Sequence, residues 1–250
     1  MKHVRLEDLT WIDIDEAINS GFTTVVFGLG SSEQHGPHLP EKTDSLLADT
    51  ITNHVTRKLG NALQAPTIRV GCSDHHLDFP GTISLKSSTL KQIIADYVNS
   101  LVKHGFTSIV LIPFHGGNFQ PTAEAIMELD PKYPDIKIIG ITDVNEFIAE
   151  LVKPSLESGL SIEEAGIHAG ENETSLVLAI ECDFVRKDRF APGFIGSLGE
   201  TEKNKLFNNG LISLSDLGVL GDPSTATAEK GEVYLQNIID YLVKEIKARL

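Results

Sequence analysis

The sequence predicts an α/β protein in which a mainly parallel sheet is covered by helices on both faces. Three observations predict it. Short apolar runs rich in β-branched residues recur along the chain, most clearly "TSIVLIPF" at 107–114. Segments with apolar residues at helical spacing separate these runs. No internal repeat, low-complexity tract or linker breaks the alternation, so residues 1–250 read as a single domain. Strands joined through helices run parallel, and the crossovers cover both faces of the sheet.

In chain order, "TTVVFGLG" (23–30) is a buried strand. The segment 44–60 has helical spacing in Leu46, Leu47, Ile51, Val55 and Leu59, with Gly60 as its stop. "APTIRVG" (65–71) is expected as a further strand. Segment 87–105 is an amphipathic helix carrying Ile93, Ile94, Tyr97, Val98, Leu101 and Val102 on one side and ending on basic residues and Gly105. The strand 107–114 follows, then a helix over 120–129 and a strand over 135–142. "SIEE" (161–164) has the pattern in which a serine and a glutamate cap each other, at the start of a short helix. "TSLVLAI" (174–180) is expected to be helical, and 227–249 forms another amphipathic helix. The Gly-, Ser- and Asn-rich segment 190–222 is the least regular.

Composition narrows the function. The formal net charge is −14, from 35 Asp and Glu against 21 Lys and Arg, and the basic residues form no concentrated run. A footprint for nucleic acid or anionic lipid is therefore missing. Two cysteines, Cys72 and Cys182, make no disulfide framework or zinc knuckle. The amino-terminal stretch is too polar for a signal peptide, and no apolar run is long enough to span a bilayer. These features predict a reduced, cytoplasmic protein acting on a small molecule.

In open α/β sheets, ligands sit outside the carboxyl ends of the strands. The loop after 23–30, "SSEQHGPHLPEKTD" (31–44), carries Glu33, His35 and Asp44. The loop after 107–114 carries "FHGGN" (114–118), with His115. A third cluster, "HAGENETS" (168–175), supplies His168, Glu171 and Glu173. Imidazoles and carboxylates converging from three segments suit zinc, iron or manganese. Glu33 and His35 are two residues apart, so in an extended segment they point the same way and Gln34 points away. Asp44 is expected to cap the helix start. It is also a carboxylate that could bridge two cations, and two metals roughly 3.5–4 Å apart can hold a water and lower its pKa. Gly116, Gly117 and Asn118 are expected to contact substrate. The tract "SDHH" (73–76) places His75 as a pocket-lining residue, with His75 and His76 facing opposite ways and neither ligating metal. His38 is expected on a surface loop, and His54 and His104 as ordinary helix residues. Cys72 has no base partner at recognisable spacing.

Together "GSSEQHGPHLPEKTD", "HGGN", "HAGENETS" and "GVLGDPSTATAEKG" resemble the creatininase (creatinine amidohydrolase) family over nearly the whole chain. The resemblance implies a three-layer α/β/α sandwich with two divalent metal ions per chain (zinc, manganese or iron), hydrolysis of amide C–N bonds other than ordinary peptide bonds, and a homohexamer built as a trimer of dimers. Carried onto this chain, Glu33, Asp44 and His115 hold one ion. His35, a bridging Asp44 and a further carboxylate hold the other, with Glu173 the first choice and Glu171 the second. His168 matches the catalytic histidine, which shuttles a proton to the leaving nitrogen. Two departures argue for a small, cyclic or formamide substrate other than creatinine. Gly117 stands where creatinine-cleaving members carry Glu. The one tryptophan, Trp11, lies in an amino-terminal stretch where it is expected to pack structurally. The alternatives are a sugar-type C–C hydrolase or lactonase using the same metals, and a metal-stabilised binding protein without activity.

Overall fold

The computed structural model describes residues 3–250; Met1 and Lys2, at the head of the polar amino-terminal stretch, lie outside them. The helix α1 (Trp11–Asn19) leads to strand β1 (Thr24–Leu29) and helix α2 (Thr43–Leu59), followed by β2 (Ala62–Gln64) and α3 (Ser87–Lys103). Strand β3 (Ser108–Pro113), α4 (Phe119–Leu129), β4 (Lys137–Gly140) and α5 (Val144–Glu157) continue the alternation. Four helices complete it: α6 (Ile162–Ala165), α7 (Glu171–Glu181), α8 (Glu200–Asn209) and α9 (Ala228–Arg249). The strands form one parallel sheet in the order β2–β1–β3–β4.

Period-2 alternation divides the core in two. Val25, Phe27 and Leu29 of β1, with Ile109 and Leu111 of β3, join residues of α1, α3 and α4 on one face. Val26, Val110 and Ile112 join α2, α7 and α9 on the other. Both faces are covered, giving the three-layer α/β/α sandwich. β1 and β3 pair along their whole length, from Thr24 opposite Ser108 to Leu29 opposite Pro113. Their carboxyl ends therefore lie side by side, which brings the two histidine-bearing loops together.

Four elements differ from expectation, α1 among them, since no helix was expected before β1. The strand expected at 65–71 is placed earlier, at Ala62–Gln64. Ala65 N still donates to Val26 O at 2.9 Å, but the next donor to β1 is Ile68 N, to Gly28 O at 3.0 Å, one residue later than strand alternation places it, so regular pairing ends here. Helix α5 was not expected, and it carries Pro154 in its last turn. The carbonyl of Glu150, which a residue-154 N–H would have served, accepts instead from Asn237 Nδ2 of α9 at 2.8 Å. Asp143 starts this helix by accepting from the N–H groups of Asn145 and Glu146. Helix α8 falls within the segment expected to be irregular. In α1, Thr10 and Asp13 cap each other, and Trp11 is 77% exposed, contrary to the packed position expected for it.

Candidate metal centre

The residues from three loops converge beyond the ends of β1 and β3. Asp44 lies in the first turn of α2 but caps nothing; the cap position is Lys42, and the Asp44 carboxylate is turned inward. Its two oxygens face different imidazoles. Oδ1 is 3.1 Å from His35 Nε2, and Oδ2 is 3.3 Å from His115 Nδ1. Glu33 Oε2 lies 3.1 Å from the same His115 nitrogen. Glu173 Oε2 lies 3.7 Å from the same His35 nitrogen. Glu173 sits in the first turn of α7, where its Oε2 also accepts from Ala169 N at 2.6 Å. Ala169 holds the left-handed conformation, φ 52°, which a non-glycine residue adopts at some cost.

The outer nitrogens fix the rings. His35 Nδ1–H donates to Glu33 O at 3.1 Å, leaving the Nε2 lone pair for the cluster. His115 Nε2–H donates to Cys72 O at 2.9 Å, leaving Nδ1 inward. Backbone acceptors of this kind orient metal-binding imidazoles. Gly117 belongs to this contact, since a Cβ there would lie 2.0 Å from Cys72 O and 2.7 Å from His115 Nε2. The carbonyl that aims His115 occupies the space where a glutamate side chain would begin.

Electrostatics follows from three carboxylates at the edge of the core. Burial opposes charge on His35 and His115. Asp44 and Glu173 beside the first, and Glu33 and Asp44 beside the second, outweigh it and hold both rings well above the ordinary histidine range. Burial also pushes Glu33 up, but His115, His76 and His35 overcome it, so its carboxyl stays well below the usual range. Glu33 Oε1 and Asp44 Oδ2 are buried and accept no hydrogen bond. Inward-facing nitrogens, three carboxylates and two orphaned oxygens fit divalent cations of the zinc, manganese or iron type. Donor atoms of Glu33, His35 and Asp44, and of His35, His168 and Glu173, lie within 4.8 Å of one another.

His168 stands beside this centre, with Nδ1 3.8 Å from Glu33 Oε1. Its Nε2 lies 2.9 Å from both the carbonyl oxygen and the side-chain amide nitrogen of Gln34. A protonated Nε2 donates to the carbonyl; an unprotonated one accepts from the amide. Gln34 thus steadies the ring in either tautomer. Burial, helped by His35 and His76, holds the His168 pKa well below its ordinary value.

Gln34 was expected to point away and does not. The chain turns at Gly36, φ 64°, whose N–H donates to Gln34 Oε1 at 2.9 Å. The same amide donates to His76 Nδ1 at 3.0 Å, which leaves the His76 Nε2–H facing Glu33 Oε1 at 3.3 Å. His76 is thereby a neighbour of the centre, which sequence reasoning missed. A 3₁₀ turn over Asp74–His76 advances about 120° per residue, unlike the 180° of a strand, so adjacent rings stay together. His75 and His76 have centroids 4.3 Å apart, and burial pulls their pKa values down to about 4 and about 3.

The remaining expectations divide. His75 lines the cavity above the centre and stacks on His115, with planes 13° apart; Gly116 and Gly117 line it too. Asn118 does not line it. Asn118 is fully buried, accepts from Cys72 N at 3.0 Å and donates to Gly30 O at 2.9 Å, so it ties the two loops together. Glu171 faces away, bonded to Ser155, Ser175, Tyr234 and Lys230. Of the two glutamates, Glu173 is therefore the one beside His35. His38 is buried against Thr174 and Phe190, not on the surface. His54 is exposed on α2 and His104 is exposed just past the end of α3, and burial raises the Cys72 thiol to about 11, an unreactive state.

An α/β/α sandwich with a carboxylate–imidazole cluster at its strand ends has the architecture of a metal-binding hydrolase. The family model for creatininase, creatinine amidohydrolase, matches residues 7–246, and the chain belongs to this family of amidohydrolases. It is 31% identical over 252 residues to the "Mycofactocin precursor peptide peptidase" of Mycolicibacterium smegmatis, covering 98% of this chain and 93% of that one. The solved structure "Creatininase Mn" superposes with TM-score 0.84 at 26% identity, covering 98% of each chain. A mutant creatininase solved in a "Zn-Zn type" form superposes with TM-score 0.83 at 27% identity over 99% of this chain and 98% of that one.

Proposed function

We propose that this protein hydrolyses an amide C–N bond in a small substrate, using two divalent cations and His168. The observation that carries the reading is the split Asp44 carboxylate, with one oxygen toward His35 and Glu173 and the other toward His115 and Glu33. Glu33, Asp44 and His115 would hold one ion, and His35, Asp44 and Glu173 the other. Such ions supply Lewis-acid stabilisation and lower the pKa of the attacking water. Every other step belongs to the chain. His168 Nδ1 faces the centre from a neutral ring, so it can take a proton from the nucleophile and return it to the departing nitrogen. Gln34 holds the ring through both stages, because Nε2 keeps its proton and donates it to the Gln34 carbonyl while Nδ1 takes up and returns the shuttled one. His76, aimed by the same amide, presents its N–H to Glu33.

Two relatives' names, a precursor peptide peptidase and a creatinine amidohydrolase, support amide chemistry, and a third, a "3-dehydro-scyllo-inosose hydrolase" of Thermotoga maritima, names no amide; the bond is proposed as an amide in general. Creatinine itself is not proposed: Gly117 has no carboxylate, and Trp11 lies outside the cavity. The setting proposed is the cytoplasm, which two free cysteines favour; among the described residues no helix is long and apolar enough to cross a membrane. The test is elemental analysis of gently purified protein, reconstitution with zinc, manganese or iron, and a substrate screen read by amine release. Saturation at two ions per chain with amide turnover is expected. Metal that never saturates, or turnover confined to C–C or lactone substrates, would overturn the reading.

A further inference from the structure

The centre forms the floor of a cavity of about 290 Å³, with Glu33, His115 and His168 in that floor. Its walls are aliphatic and aromatic: Ile148 from α5, Ile167 after α6, and Leu198 and Phe207 around α8. A second cavity of about 260 Å³ continues from the first, shares Ile148, Ile167 and Leu198 with it, and adds Ile162 and Phe194. Phe207 is 66% exposed and Ile162 50%, so apolar side chains stand open along the route that leads to the metals. Lys203 of α8 lines both cavities, and among the described residues no other Lys or Arg lines either one. The lysine ion pairs of the described residues belong to Lys58, Lys91, Lys153 and Lys230, which leaves the Lys203 ammonium unpaired. Glu163 lines the second cavity but not the first.

We propose that the amide cleaved here carries an apolar body and a carboxylate, the body lying along the α5–α8 wall and the carboxylate meeting Lys203. This deepens the amidohydrolase reading and rests on it for the cleaved bond. Three features carry it. An apolar wall gains by covering open Phe207 and Ile162. The continuation into a second cavity gives room beyond the group held at the metals. Lys203, exposed and without an ion pair, is the one Lys or Arg among the described residues that lines the two cavities, and in a chain with net charge −14 it marks a place in them where an anion is welcome. N-Acyl amino acids and short peptides ending in an apolar residue share this chemistry.

The test uses the full chain loaded with zinc or manganese. The probes are N-acetyl-L-leucine, N-acetyl-L-leucinamide, N-acetylglycine and N-acetylglycyl-L-leucine, followed by amine release. Either leucine carboxylate should exceed the carboxamide and the glycine compound by about tenfold or more in kcat/KM, as one charge-assisted contact allows. Whichever leucine carboxylate is cut faster identifies the source, acyl amino acid or peptide. Lys203→Gln should abolish the carboxylate preference by raising KM with kcat unchanged, and Lys203→Arg should restore it. Equal rates on carboxylate and carboxamide, or a preference that survives Lys203→Gln, overturn the proposal. Binding of N-ethyl-L-leucine, which has no amide to cleave, is measured by calorimetry on the same proteins. If no amide is cleaved but wild type binds this ligand and Lys203→Gln does not, the cavity assignment stands and the amidase reading falls. Binding that is absent in wild type, or equal in both, overturns the cavity assignment whatever the turnover.

Discussion

At Asp44 a single side chain serves both halves of the centre, so its removal should be unlike the removal of any neighbour. Asp44→Asn is expected to lose both ions together; elemental analysis that finds one ion cleanly retained would show that the carboxylate does not bridge. His168→Asn is expected to keep full metal and lose about 10²–10⁴-fold in turnover, since a proton shuttle acts in the transition state and does not build the site. Metal content and rate measured on the same sample decide this, because loss of metal would make His168 a ligand. Gln34→Leu keeps the size of the side chain but takes away the donor to His76 and the contact with His168. A loss of about 10–100-fold is expected, as for other groups that orient ligands. Gly117→Glu is the instructive reverse. It restores the residue of the creatinine-cleaving pattern, yet its Cβ would meet Cys72 O at 2.0 Å and so disturb the carbonyl that aims His115. Metal binding should weaken, and creatinine turnover should not appear.

Among the elements, α7 depends most on a partner helix. Its first turn carries Glu173 into the centre, while Glu171 two residues earlier is held by Tyr234 and Lys230 of α9. Gly231 of α9 approaches so closely that a Cβ would lie 1.8 Å from Ser175 O. Gly231→Ala should therefore cost about 1–3 kcal/mol through overpacking, despite the better helix propensity of alanine. Urea unfolding measures the loss, and an unchanged midpoint would mean that α9 shifts without strain. On the opposite side of the site, α8 carries Lys203, Leu206 and Phe207. Only Leu206 of the three is buried, against Leu211 and Leu220 in a small cluster of its own. The wall that would select substrate thus rests on less packed area than the sheet that positions the metals.

For the whole molecule, pH and metal are linked. The raised His35 and His115 pKa values stabilise the metal-free fold at low pH, fully below the ordinary value of 6.5, and that contribution fades as pH rises through the raised values. The lowered Glu33 pKa works in the other direction: its contribution is present above the ordinary 4.5 and is lost as pH falls through the folded value. Metal displaces protons from the two imidazoles, so the gain in melting temperature on metal addition should grow from about pH 6 to about pH 8.5. A gain independent of pH would place the metal elsewhere. We also propose a homohexamer, on the family resemblance and on the open Trp11 and Ile12 of α1, 77% and 51% exposed. Light scattering should give six chains, and a monomer at all concentrations would contradict it.

Much of this was legible in the sequence because the signals are local. The strands 107–114 and 23–30, the long helices and the caps at Ser161 and Gly60 follow from side-chain periodicity and backbone preference within a few residues. The ligand-type residues Glu33, His35, Asp44 and His115 stood out because strand ends are where such a sheet opens to ligands, and Glu173 stood out through the family resemblance of its motif. In the last turn of helix α5, Pro154 leaves the Glu150 carbonyl without a donor from its own helix, and Asn237, 87 positions from that carbonyl, supplies the hydrogen bond. Tertiary structure also turned Glu171 toward α9 and Glu173 toward His35, turned Gln34 and His76 toward the centre, drew Asn118 away from the cavity and made α8 its wall. Those outcomes depend on which distant groups meet a side chain's polar atoms, and no pattern of neighbours along the chain encodes that.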